Sequence, residues 1–301
     1  MKKKVLFILT VFAALIVVIL SCQTLAAITD VGAQVAGAVG VVDQNVADAI
    51  SVSARAAATA AEQITPEQEY YMGRAVAANL LGSYRIWNGN ANLTNYLNRI
   101  CMSIVINSPR PDIFNGYHAA ILDSNEINAF ATPGGHILIT RGLINTARSE
   151  DALAAVIAHE IAHIQLQHSI KAIRNSRISN ALVVTGIAAT GAYTGMSVNE
   201  LTSVFNESIS EIMQTLVTNG YSREQEFEAD NTAMALLAAA GYNPQALIEM
   251  LQALPSSGSA GFSRTHPTAA QRITNAQRTV GNHSVTDTSS SRTARFAAAM
   301  R

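Results

Sequence analysis

The sequence predicts an α+β fold, mainly α-helical, with one small β-sheet set among the helices. Three observations predict it. Capped segments of helical period lie on both sides of residues 117–140, where the period shortens to that of strands. The turn residues "SNE" and "TPGG" cut that stretch into three strands, "YHAAILD", "INAFA" and "HILIT". Hydrophobic residues make up 49% of 301, enough for one medium-sized core with appendages.

The chain opens with "MKKKVLFILTVFAALIVVILSC": three lysines, an apolar run from Val5 to Leu20, then small or polar residues. Such a succession predicts an export signal over residues 1–21. It could be cleaved before Cys22 with lipidation of that thiol, be cleaved near Ala26, or stay as an anchor of just under spanning length. "ILSC" resembles a bacterial lipobox and favours the first, although Leu20 stands where a small residue is usual. The expectation is an exported bacterial protein, periplasmic and tied to the membrane by a lipid on Cys22. Gln23 is not an acid, which favours the outer membrane.

Residues 22–61 are rich in Ala, Val and Gly and are expected to form a lipid-anchored tether or a loosely packed helix. The folded domain is expected over residues 62–280. Its first helix starts at Thr65, with Pro66 at the first helical position and Gln68 at capping-box spacing, and Gly82 ends it. A second helix covers "ANLTNYLNRICMSIVINS" and stops before Pro109; within it Cys101 reads as a small buried hydrophobe, so no disulfide framework is implied. After the strands, Ser149 caps a helix with Glu150 and Asp151 in its first turn, expected to run to about Lys171.

Residues 176–220 read as irregular helix around an apolar, Gly-broken centre too short to span a bilayer. Ser222 and Gln225 box another helix that stops at Gly241, and Asn243 with Pro244 opens the next. The Ser- and Thr-rich residues 281–301 are expected to be a disordered tail.

The formal net charge is −1, and three of the four lysines stand at the very start. With no cationic stripe to neutralise phosphates, nucleic acid is excluded as an expected partner.

The chemistry concentrates in "AHEIAHIQLQH". On a helix His159 and His163 share one face, a turn apart, with Glu160 rotated by about 100° beside them. Two neutral imidazoles suit Zn2+, and the glutamate is placed to take a proton from water. His168, five residues past His163, falls off that face and reads as a surface or capping residue. A third ligand is expected from "EFEAD", where Glu226 and Asp230 are four apart. Glu226 would bind the metal and Asp230 would accept the free ring N–H of a metal-bound histidine. Glu224 and Glu228 compete by type, but neither has an acid four residues ahead.

Together "HEIAH", "GYSREQEFEAD" and "NAFATPGGHILITRGL" resemble zinc metallopeptidase family forty-eight, of the CAAX prenyl protease, HtpX, Oma and BepA type, over roughly residues 65–280. The resemblance implies a zincin-like domain of the gluzincin kind, with the sheet beside the HExxH helix. It implies one zinc held by His159, His163 and Glu226, with Glu160 as catalytic base. "THPTAAQRI" resembles a family segment whose His lies near the metal and whose Arg supports the substrate carbonyl, which implies His266 and Arg272; Pro267 would stand at that helix's first position. In "HILIT", His136, Ile137, Leu138 and Ile139 are expected to form a strand whose edge pairs with an extended substrate.

The expected activity is therefore hydrolysis of peptide bonds in misfolded or envelope proteins. The rival is a latent or weakly active zinc-binding chaperone, blocked for instance by His266; a purely structural zinc site fits the mixed donor set less well.

Overall fold

The computed structural model describes residues 22–40, 44, 47–48, 50–51, 64–173, 198–254, 261–266, 269–283 and 289–301. The expected signal, Pro267 and the whole apolar 176–197 stretch lie outside them. The chain divides into two units, residues 1–64 with 172–204, and residues 65–171 with 205–301. In the first, Cys22 begins helix α1 (Cys22–Ala38), and Ser51 Oγ donates to the Asp30 carbonyl at 3.3 Å.

The second unit carries the core. Helix α2 (Pro66–Leu80) starts on the reciprocal capping box of Thr65 and Gln68. Helix α3 (Ala91–Val105) starts on the Asn90 side chain, and Cys101 is buried in it. Three strands follow: β1 (His118–Leu122), β2 (Ala129–Thr132) and β3 (His136–Thr140), in the sheet order β1-β3-β2. Strand β3 pairs in parallel with β1, His136 opposite His118, and antiparallel with β2, His136 opposite Thr132. The expectation that His136, Ile137, Leu138 and Ile139 offer an edge is thereby corrected. Both edges of β3 are filled, because the Pro133–Gly135 turn folds β2 against one side while β1 crosses over to the other.

That turn also fixes where α2 lies. A Cβ on Gly73 would sit 1.6 Å from the Pro133 carbonyl oxygen, and Gly134 adopts φ +71° against the Tyr70 backbone. Only glycine permits both the approach and the left-handed backbone.

After the short α4 (Arg141–Thr146), α5 (Glu150–Gln165) is capped by Ser149 and is buried on all sides, from Glu150 to Ile164 except Asp151. A helix apolar all round belongs inside a core. It packs on β2, on α3 and, most extensively, on α7 (Arg223–Ala239). Alanines 154, 155, 158 and 162 on α5, and 229 and 233 on α7, are fully buried. Such small side chains let the two backbones approach closely, which sets Glu226 and Asp230 over the α5 histidines.

The expected run of this helix to Lys171 is corrected. Leu166 caps α5, and Gln167 turns the chain at φ +55° before a further helical segment over residues 168–173. Helix α6 (Val198–Gln214) leads through a π-helical turn, Thr215–Asn219, to α7; then follow α8 (Gln245–Ala253), α9 (Phe262–Thr265) and α10 (Ala269–Thr279).

The expected disordered tail is corrected as well. Residues Ser289–Ala299 form helix α11, which packs on α5 and α3. Its hold is both ionic and apolar: Arg292 meets Asp151 at 2.8 Å, Arg295 meets Glu150, and Phe296 and Ala299 pack on the core. Among the described residues, no helix is long and apolar enough to cross a membrane.

Candidate active site

Helix α5 presents His159 and His163 one turn apart, with ring centroids 4.6 Å apart. Their Nε2 atoms face each other at 3.0 Å. Each ring is held from its far side. Asp230 Oδ1 lies 3.0 Å from His159 Nδ1, and His168 Nδ1 lies 2.8 Å from His163 Nδ1. Tyr221 stacks on the His163 ring at 4.0 Å.

Helix α7 brings Glu226 to the same point. Its carboxylate oxygens lie 3.6 Å from the Nε2 atoms of His159 and His163. Glu224 and Glu228, the competing acids, turn outward, with side chains 71% and 50% exposed. His266, at the end of α9, closes the cluster: its Nδ1 lies 2.9 Å from Glu226 Oε1 and 3.3 Å from His159 Nε2. Phe262 stacks on the His266 ring at 4.2 Å. Glu160 lies alongside, its Oε1 3.7 Å from His266 Nε2.

Arg272, from α10, spans the two acids of α7. It donates through Nε and Nη2 to Asp230 at 2.8 and 2.6 Å, and its Nη1 lies 2.8 Å from Glu226 Oε2. The Nη1 contact is an ion pair without hydrogen-bond alignment, so that nitrogen remains without a hydrogen-bond partner.

The cluster is shut away from solvent: His159, Glu160, His163, Glu226 and His266 are all 0–3% exposed. Burial raises the Glu160 carboxyl above its usual range. Burial also acts against Glu226, yet the charges of His266 and Arg272 outweigh it and hold the carboxyl low. Asp230 is held far below the carboxylate range, the Arg272 guanidinium overcoming its burial. His163 is kept neutral by burial and by the neighbouring imidazoles. His266 is raised, the Glu226 carboxylate overcoming its burial.

These donors fit a metal. His159, His163, Glu226 and His266 each offer a ligand atom, all within 4.8 Å of one another. Both Glu160 oxygens are buried without a hydrogen-bond partner, an arrangement that is costly unless a cation or a substrate proton is added, and Glu226 Oε2 has no aligned donor beyond its ion pair with Arg272. A set of imidazoles with one carboxylate suits zinc.

All of the sequence-predicted centre is brought together here: His159, Glu160, His163, Glu226, Asp230, His266 and Arg272. The expected substrate residues of β3 are not free. The expectation that His168 lies at the surface is corrected: it is fully buried under His163, because the helix breaks at Gln167 and the chain turns back. Tyr221 and Phe262, which stack on two of the imidazoles, escaped the sequence reading; Tyr221 stands in a loop and Phe262 opens a four-residue helix, and neither setting carries a spacing signal.

A sequence profile described as Peptidase family M48 matches residues 90–280. The beta-barrel assembly-enhancing protease of Escherichia coli (strain K12) is 28% identical over 215 residues, covering 70% of this chain and 43% of that protein. The mitochondrial metalloendopeptidase OMA1 of Schizosaccharomyces pombe is 28% identical over 185 residues, covering 60% of this chain and 51% of that one. The metalloprotease LoiP of Escherichia coli (strain K12) is 29% identical over 152 residues, covering 50% and 57%. The chain thus spans about half the length of these relatives.

Proposed function

The chain belongs to peptidase family M48, and from that membership we propose that it is a zinc-dependent metalloendopeptidase acting on misfolded or envelope proteins. The observation that carries this is the convergence of His159, His163 and Glu226 beside a fully buried Glu160. His159 and His163 would hold the ion through Nε2, and Glu226 through its carboxylate. Bound zinc supplies Lewis acidity, polarising a carbonyl and making water acidic enough to lose a proton near neutral pH.

The chain's own residues do the rest. Glu160 takes the proton from the attacking water and later passes it to the leaving amine; its raised affinity for protons suits a carboxylate that must accept one. Arg272 Nη1, which has no aligned acceptor, and His266 are the donors placed to meet charge developing on the carbonyl oxygen. Strand β2 has β3 as its one strand partner among the described residues but is buried, so an extended substrate would add there only once that side of the sheet is uncovered. Pairing through the main chain recognises extended protein with little demand on its sequence.

The cellular setting follows from the N-terminal residues. Export on residues 1–21, lipidation of Cys22 and periplasmic residence at the outer membrane suit a protease of envelope proteins. So does the name of the beta-barrel assembly-enhancing relative.

A second reading is favoured by one observation. His266 Nδ1 is 2.9 Å from Glu226 and 3.3 Å from His159, near enough to supply a fourth ligand, and the whole cluster is buried. In that state the protein would be latent, binding clients without cutting them. The test is zinc content and casein cleavage by the purified full chain beside Glu160→Gln and His266→Ala. Wild type holding about one zinc and cleaving, with Glu160→Gln holding zinc and inert, supports the peptidase. Zinc without cleavage in wild type, with cleavage in His266→Ala, supports latency. Absence of zinc overturns both.

A further inference from the structure

We propose that His168 is a positioning residue for the metal centre: it accepts the Nδ1–H of His163 and donates its own Nε2–H to Glu228, locking a buried metal-binding imidazole from the surface. The proposal rests on the metallopeptidase reading above.

The assignment follows from which nitrogens are committed. His163 Nε2 faces His159 Nε2 at 3.0 Å and Glu226 Oε1 at 3.6 Å, so the metal side of that ring is Nε2. A neutral imidazole that ligates through Nε2 carries its proton on Nδ1. That Nδ1 lies 2.8 Å from His168 Nδ1, which must therefore be the acceptor. The proton of His168 is then on Nε2, and Glu228 Oε2 stands 3.2 Å from it. One tautomer of each ring satisfies every contact. A doubly protonated His168 would set two N–H groups against each other.

The chain is built to make this meeting. His168 is fully buried, while the Glu228 side chain is 50% exposed, so the relay runs from the metal cluster to solvent in two bonds. Five residues along a continuous helix, His168 would point away from His163. The left-handed Gln167, tied through its amide to Glu69 at 2.8 Å, turns it back. Ser169 and Tyr221 hydrogen-bond at 2.8 Å, which fixes the aromatic ring stacked on His163.

The two metal imidazoles are thus oriented by different means. His159 leans on Asp230, itself buried and held by Arg272. His163 leans on a neutral imidazole backed by an acid that solvent or a bound chain can reach. Groups that orient a metal-bound histidine typically set metal affinity by 10–100-fold.

The experiment is zinc affinity by chelator competition on the full chain, with metal-free thermal stability measured in parallel. His168→Ala is expected to weaken zinc binding about 10–100-fold. His168→Gln, whose amide can accept from His163 and donate to Glu228, is expected to stay within about threefold of wild type. Imidazole proton resonances give the second readout: the zinc-loaded wild type and His168→Gln should keep a slowly exchanging His163 Nδ1 proton that His168→Ala loses. Two outcomes overturn the relay: His168→Ala binding zinc as wild type does, or both variants losing affinity equally along with metal-free stability. A wild type that takes up no zinc, or whose Glu160→Gln variant still cleaves, sinks the metallopeptidase reading itself, which is a separate failure.

Discussion

Arg295 grips the Glu150 carboxylate with two nitrogens, Nε at 3.1 Å and Nη2 at 2.5 Å. The last helix of the chain thereby holds the first turn of the helix that carries His159, Glu160 and His163. Glu150 is 1% exposed and also accepts from the hydroxyls of Tyr96 at 2.9 Å and Tyr242 at 3.3 Å. Arg292 repeats the contact one residue on, pairing with Asp151 and donating to the Gly241 carbonyl. The acids at the start of α5 therefore serve its dipole and its docking at once.

Removing Arg295 leaves a buried carboxylate with two of its donors gone. Because the arginine itself is half exposed and both tyrosines remain, Arg295→Ala should cost about 1–3 kcal/mol in urea unfolding, the usual cost of an under-satisfied buried acceptor. Tyr96→Phe should weaken the same cluster, and the two losses should not add, since both act on Glu150. An Arg295→Ala protein as stable as wild type would show that α11 is not tied to the core by this pair.

Gly73 tests the other side of α5. A Cβ there would meet the Pro133 carbonyl carbon at 2.5 Å as well as its oxygen, both backbone atoms that cannot rotate aside. Gly73→Ala should force α2 away from the Pro133–Gly135 turn and cost about 1–3 kcal/mol as overpacking. Gly281→Ala, where nothing lies within 4 Å of the added methyl, should change thermal stability little. Equal melting temperatures for the two variants would contradict the close approach.

What could be read from the sequence was whatever lies within one helix. His159 and His163, or Glu226 and Asp230, sit four apart on capped helices, and that spacing alone places them on one face. The relations between elements were less legible. Three short apolar strands carry no mark of which pairs with which, so β3 read as an edge although it is the middle of the sheet. His168 was misplaced because a single left-handed residue, Gln167, redirects the chain, and glutamine carries no turn signal. The helix at Ser289–Ala299 hid for a different reason: Phe296 and Ala299 pack on the core and two arginines pair with buried acids, but this short apolar face stands in a Ser- and Thr-rich stretch that suggested no core contact.

Alkaline pH should destabilise the protein through Cys101. Burial pushes its thiol up to about 12 from an ordinary 9.0, so the folded chain keeps a proton that the unfolded chain gives up. A pKa raised on folding gives stability that is whole below about 9 and is lost as pH rises towards 12. The slope from this one group is about 1.4 kcal/mol per pH unit in that window. Tyr96, Tyr117, Tyr221 and Tyr242, also raised chiefly by burial, act in the same direction. Unfolding free energies measured from pH 8 to 11 should fall, and Cys101→Ala should flatten the fall. An unchanged slope in that variant would remove Cys101 from the account.

Among the described residues, Arg272 is the only side chain between the carboxylates of Glu226 and Asp230 that carries a permanent positive charge, and it is 1% exposed. Replacing it with methionine, similar in length and uncharged, leaves two buried acids without their cation. In the metal-free protein that should cost about 3–5 kcal/mol, the usual consequence of breaking a buried pair from one side. Zinc should recover part of the loss, because a cation at His159, His163 and Glu226 stands beside the same carboxylate, and a ligand that binds only the folded state stabilises it by mass action. Melting curves with and without zinc, for wild type and Arg272→Met, separate the two effects. The gap between the proteins should be wide without metal and narrower with it. A gap that zinc leaves unchanged would mean that the arginine and the metal do not share Glu226.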